Sequence, residues 1–309
     1  MLAIPLTSAP VSPRPVAPAR ASGERPLRVL LHGVEGVGAS TFAANAPAPV
    51  FVCTEDGAAQ LDVARFPAPR TWVDVLEAIR VLTYDEHEHR TLVLDGLEGL
   101  ESLCQKHVCM MAGVGHLDEI AYGRGYAEAV DQWRKLFGKL EGLVQARRMN
   151  VILLGHTTSK RIETETGLHD RNQLKVHDRV TELLRGWCDA ILFARRERVS
   201  VGRTRLRAPE ARLIHTDESP RWEARNRFDL PALLPLDWDE FVSAVRAYKP
   251  SDVMALRAQL VALMPYLQEA ARAAQVMRDW AGDDPVKLLQ LLDRVRSKLT
   301  LEAAGEPTT

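Results

Sequence analysis

The sequence predicts an α/β protein: a mostly parallel sheet, a late antiparallel hairpin and a small helical appendage on the C-terminal side. Five short apolar runs carry the sheet: Leu27–His32, Val50–Cys53, Thr91–Asp95, Val151–Gly155 and Ala190–Ala194. Their unbroken hydrophobicity is that of strands buried on both faces. Between them lie helical repeats, first Trp72, Val75, Leu76 and Ile79, then Val130, Trp133, Leu136, Phe137, Leu140 and Val144. Strands alternating with amphipathic helices call for a sheet covered on both sides.

In chain order, residues 1–25 come first, with Pro5, Pro10, Pro13, Pro15 and Pro18 among alanine and serine. They cannot supply a core and are expected to form a disordered tail. The α/β core is expected over residues 26–248. From about Arg195 the pattern changes to period two, with Arg203–Arg207 and Ala211–His215 on either side of Pro209. That change predicts the antiparallel hairpin that finishes the sheet. Beyond Pro250, two helical stretches, 251–281 (kinked at Pro265) and 285–300, make the appendage of residues 249–309. Leu256, Leu260, Leu263, Leu267 and Ala271 form a stripe there that packs on the core or docks a partner.

Composition excludes several classes. Charged residues make up 26% and apolar residues 46%, ordinary for a globular protein. No apolar run approaches the roughly 18 residues of a membrane helix, so no membrane partner is expected. There is no charged start followed by an apolar segment, so no secretory signal is read. The four cysteines (Cys53, Cys104, Cys109, Cys188) are too few for a disulfide framework and suit a reducing cytoplasm. Cys104, His107 and Cys109 do not share a helical face, which argues against a metal cluster. Forty basic side chains oppose forty-one acidic ones, but only eight of the forty are lysines and the first is Lys106.

That absence matters at the end of the first strand. Gly33-Val34-Glu35-Gly36-Val37-Gly38-Ala39-Ser40-Thr41 fits the phosphate-loop pattern G-x-x-x-x-G-K-[ST] at every position except the lysine, which is Ala39. The glycines let backbone N–H groups converge on phosphate oxygens, and Ser40 is placed to offer its hydroxyl to Mg2+. Alanine leaves this cradle but removes its one full positive charge. It is equally a natural or an introduced replacement, and slow or absent hydrolysis is expected in either case. Leu92-Val93-Leu94-Asp95 is an apolar strand ending in a carboxylate suited to Mg2+. Glu55, after Val50–Cys53, is either a base that orients water or a loop carboxylate. His156, after Val151–Gly155, is either a γ-phosphate sensor or structural.

Taken in order, GVEGVGAST, FVCTEDG, TLVLDGLEGLE, YGRGYAEA, NVILLGHTTSKR, RGWCDAILFARRE and RWEARNRFDLP resemble the phage-type RecA-like P-loop ATPases. That family includes single-strand annealing recombinases of phages, and the similarity spans roughly residues 26–242. The resemblance implies a RecA-like core that binds ATP with Mg2+ between subunits of a ring or filament and binds single-stranded DNA. The setting would be the cytoplasm of a bacterium or phage-infected host cell. It makes Gly33 to Thr41 the phosphate loop, Asp95 the Mg2+ carboxylate, Glu55 the catalytic carboxylate and His156 the sensor. A single-strand-binding protein or a helicase are further partners it suggests.

The same resemblance places a DNA-binding loop at about 157–177, with Lys160, Arg161, Arg171 and Lys175. Without an aromatic residue for stacking, its contacts would go to phosphates; Glu163, Glu165 and Asp170 leave open a solvated loop of mixed charge. From Val50 to Asp131 fifteen acids face six bases, net −9; from Arg195 to Arg227 ten arginines face five acids, net +5. The asymmetry suits head-to-tail subunits or a DNA-facing surface. Arg225 and Arg227 are either cations offered to a neighbour's γ-phosphate, as the resemblance implies, or arginines guarding a sheet edge.

Overall fold

The computed structural model describes residues 25–58, 60–164, 167–198, 210–247 and residue 291. Its strands are β1 (Arg28–Gly33), β2 (Pro49–Cys53), β3 (Ala64–Arg65), β4 (Thr91–Asp95), β5 (Asn150–Thr164), β6 (Gly167–Leu174), β7 (Ala190–Arg198), β8 (Glu210–His215), β9 (Arg225–Asn226) and β10 (Leu233–Pro235). They lie in the order β10-β8-β7-β1-β5-β4-β2-β3, with β6 paired to β5 and β9 to β7. The run from β7 to β3 is parallel, whereas β8, β9 and β10 join it antiparallel. The expected α/β class, mostly parallel with a late antiparallel end, is the observed one.

The helices are α1 (Ala39–Ala44), α2 (Trp72–Tyr84), α3 (Leu97–Ala112), α4 (Arg124–Arg147), α5 (Asp178–Trp187) and α6 (Trp238–Ala247). Alternation along the strands assigns them to the two faces. Leu30, Val50, Val52 and Leu92 point to the layer of α2, α3, α4 and α5, where Trp72, Leu100, Trp133 and Leu184 are buried. Val29, Leu31, Phe51 and Val93 point the other way, to Phe42 of α1 and to Trp238 and Phe241 of α6. Helix α2 starts at Thr71, whose hydroxyl accepts from the Asp74 N–H at 3.2 Å while Asp74 accepts from the Thr71 N–H at 2.8 Å. This reciprocal cap satisfies two donors that a helix start otherwise leaves unpaired.

Two expectations are corrected. The stretch 157–177 is not a loop: β5 continues to Thr164 and pairs with β6 in an antiparallel hairpin. It escaped the apolar pattern because Thr157, Thr158, Ser159 and Lys160 are polar on both faces, so no hydrophobic alternation marks the strand. The late hairpin begins earlier than Arg203: β7 itself runs out to Arg198 and pairs with β8. Arg203–Arg207, the tail before residue 25 and the helices expected over 251–281 and 285–300 lie outside the described residues, apart from residue 291. Among the described residues no helix is long and apolar enough to cross a membrane.

Candidate nucleotide and cation site

Parallel α/β sheets place ligands at the carboxyl ends of their strands. Register brings those ends level: Gly33 is opposite His156, and Cys53 opposite Asp95. Strand β5 is inserted between β1 and β4, so about two strand spacings, roughly 10 Å, separate the loop strand from the Asp95 strand. The loop closes that gap. After Gly33 it turns through Gly36 (φ 70°) and Gly38 (φ 108°), left-handed conformations that favour glycine, and delivers α1. Ser40 on α1 then donates from Oγ to Asp95 Oδ2 at 2.9 Å. Gly33 is required for another reason: a Cβ there would stand 2.4 Å from the Ala194 carbonyl oxygen of β7.

The Asp95 carboxyl titrates above its ordinary range. Burial is the main cause, opposed by the Ser40 hydrogen bond and reinforced by the charge of Glu55. A half-buried, partly desolvated carboxylate beside a hydroxyl is a hard-oxygen pair, and the donor set fits Mg2+. Three more donors converge beside it: oxygens of Glu55 and Glu98 and a ring nitrogen of His156 lie within 4.8 Å of one another. His156 Nδ1 is 3.7 Å from Glu55 and 3.5 Å from Glu98, and the His156 N–H donates to Glu98 Oε1 at 2.5 Å. Thr54 holds the Glu55 turn against the start of α3 by donating its hydroxyl to the Gly96 carbonyl at 2.7 Å.

Residues 25–228, more than half of the chain, match the family described as AAA domain. The chain belongs to this AAA domain family of P-loop ATPases. No curated protein matches it.

In this AAA domain Gly33 ends β1, residues 34–38 make the turn and Ala39 to Thr41 open α1, and Ser40, Asp95, Glu55 and His156 come together at the carboxyl ends of the strands. Glu98 was missed; its signal was the spacing Asp95-Gly-Leu-Glu98, which puts a second carboxylate in the first turn of α3. Arg225 and Arg227 are not brought to this edge. They sit by the opposite end of β7, where Arg225 donates to the Arg185 carbonyl at 2.7 Å and Arg227 to Asp189 at 3.3 Å. The hairpin cations are also engaged: Lys160 pairs with Asp178 at 2.7 Å, Arg161 with Asp170 at 3.4 Å and Arg171 with Glu218 at 2.5 Å. Lys175 is exposed.

The raised Asp95 pKa has a stability consequence. The folded chain holds this proton more tightly than the unfolded chain does. The stabilisation from the protonated form is therefore present at low pH and is lost as pH rises through the carboxylate range. At neutral pH the ionised group is a net cost until a cation binds. Asp95→Asn should melt higher than the parent at pH 7 without Mg2+, because it removes the ionised carboxylate that burial disfavours. The gap should close towards pH 4, and stabilisation by Mg2+ with ATP should disappear. Equal melting temperatures at pH 7 would refute the buried-charge account.

Proposed function

We propose that this protein is a RecA-like ATP-binding protein that holds ATP with Mg2+ at the β1 loop and binds single-stranded DNA through the β5–β6 hairpin. It acts in phage-type homologous recombination or single-strand annealing as a ring or filament of identical subunits. Hydrolysis is impaired by Ala39. The observation that carries the nucleotide part is the 2.9 Å Ser40–Asp95 contact, with Glu55 and His156 at the neighbouring strand tips. Such a constellation would hold Mg2+ and position water, and the missing element is the lysine. When bound, Mg2+ would supply charge to the β- and γ-phosphates; Ser40 and Asp95 would hold it, and Glu55 would orient water.

The DNA part rests on continuity. Strand β5 carries His156 and runs on without a break into the hairpin bearing Lys160 and Arg161, opposite Arg171. A nucleotide sensed at His156 would thus be on the same strand as Lys160 and Arg161. If Lys160, Arg161, Arg171 and Lys175 (just past the hairpin) all reach phosphates, affinity for a short single-stranded oligonucleotide should fall about 50-fold between 50 and 200 mM salt. Titration of a labelled oligonucleotide at both salts measures it. A flat salt response would remove DNA as the ligand. It would favour a second reading, a silent scaffold or a loader acting on a protein such as a helicase. The pairing of Lys160, Arg161 and Arg171 with acids of the same chain supports that alternative.

A further inference from the structure

A cation pair flanks the loop from the side opposite Asp95. Arg196 on β7 and Arg212 on β8 are directly opposite one another in the antiparallel register. Arg196 Nη2 donates to the Gly36 carbonyl at 2.8 Å. Arg212 Nη1 lies 2.9 Å from where a Cβ on Gly38 would stand, so its guanidinium rests on that glycine. Both side chains are exposed, and among the described residues no carboxylate pairs with either guanidinium.

Like charges directly opposite on a sheet repel and destabilise the pairing. Among the described side chains nothing offsets that repulsion beside the two left-handed glycines of the loop. An anion at the loop would relieve it. A guanidinium offers five N–H donors in a planar fork suited to phosphate oxygens, and the bond to Gly36 uses only one of those on Arg196. The sheet order sets the two sides of the loop apart: β7 and β8 bring cations on one side, while β5 and β4 bring His156 and Asp95 on the other.

We infer that Arg196 and Arg212 supply in cis the positive charge that Ala39 withholds, and that they bind the phosphate chain of a nucleoside triphosphate. The inference rests on the nucleotide reading of the loop and deepens it. It makes a single subunit competent to bind, without Arg225 or Arg227 of a neighbour.

The test is equilibrium binding of fluorescent ATP and AMP, with Mg2+, to the full chain across a range of protein concentrations. Arg196→Ala with Arg212→Ala should weaken ATP about 10- to 100-fold, the range for charge-assisted hydrogen bonds, and change AMP much less. Parent affinity should not depend on protein concentration. Adding Ala39→Lys to the double variant should recover ATP binding. Arg196→Lys with Arg212→Lys, which keeps charge and stems but loses the fork, should fall between. Because both side chains are exposed, melting temperatures should hold in all variants. Parent-like ATP affinity in the double alanine variant, or binding that appears only as subunits associate, overturns the inference and leaves the nucleotide reading standing. Absence of ATP binding by both the parent and Ala39→Lys overturns the nucleotide reading, and this inference with it.

Discussion

Ala39→Lys is expected to raise phosphate release from ATP by on the order of 100-fold or more, the effect of one preorganised donor on developing charge. The proposed function gives the other groups at the strand edge the remaining parts of turnover. Ser40 and Asp95 are in contact, Glu55 lies beside His156, and the loop has its left-handed glycines. Position 39 opens α1 directly after Gly38, so a lysine there would rise from the same turn that presents the backbone to phosphate. A cis guanidinium from Arg196 or Arg212 can hold ground-state phosphate, but each is anchored on the hairpin. Neither starts from the helix that a lysine would use to follow charge into the transition state. A coupled phosphate-release assay on parent and variant decides the matter. Equal rates, whether robust or absent, would show that the alanine is not what limits turnover.

Trp133→Ala should cost about 3–5 kcal/mol and lower the melting temperature by roughly 10 °C. Trp133 is 1% exposed at the centre of α4. Its ring centroid lies 5.6 Å from Trp72 of α2 and 5.9 Å from Phe137, which in turn lies 5.3 Å from Trp187 of α5. Arg28, at the start of β1, stands over Trp187 at 5.5 Å. This aromatic row fastens three helices to the sheet and to the loop strand. Truncating its middle leaves a cavity the neighbours cannot refill, in a domain whose total stability is of the order of 5–15 kcal/mol. Thermal unfolding followed by circular dichroism measures the loss. A shift below about 2 °C would show that α4 is not a core helix.

How much was legible in advance follows from the range over which each signal acts. The five apolar strands and the helices around Trp72 and Trp133 could be read because burial imposes a period of two or 3.6 on neighbouring residues. The β5–β6 hairpin could not, because Thr157–Lys160 and their partners are polar on both faces and carry no such period. Glu98 was within reach of inspection, one turn beyond Asp95. Arg196 and Arg212 were not: Arg196 bonds a loop carbonyl 160 residues earlier in the chain, and its segment offered only a surplus of arginines. For Arg225 and Arg227 the same surplus hid internal contacts with the end of α5 and with Asp189.

By itself the sequence determined the α/β class, the loop with its glycines and Ser40, and the absence of a lysine at position 39. These are local properties, written in spacing and residue type. Only the tertiary structure decided that β5 lies between β1 and β4, that Ser40 reaches Asp95 over it, and that Glu55, Glu98 and His156 share one edge. It also set the β7–β8 hairpin against the loop, bringing two arginines to the place where one cation is missing. The physical reason is that strand order and hairpin placement come from burying both faces of the whole sheet at once. No short window of residues contains that requirement.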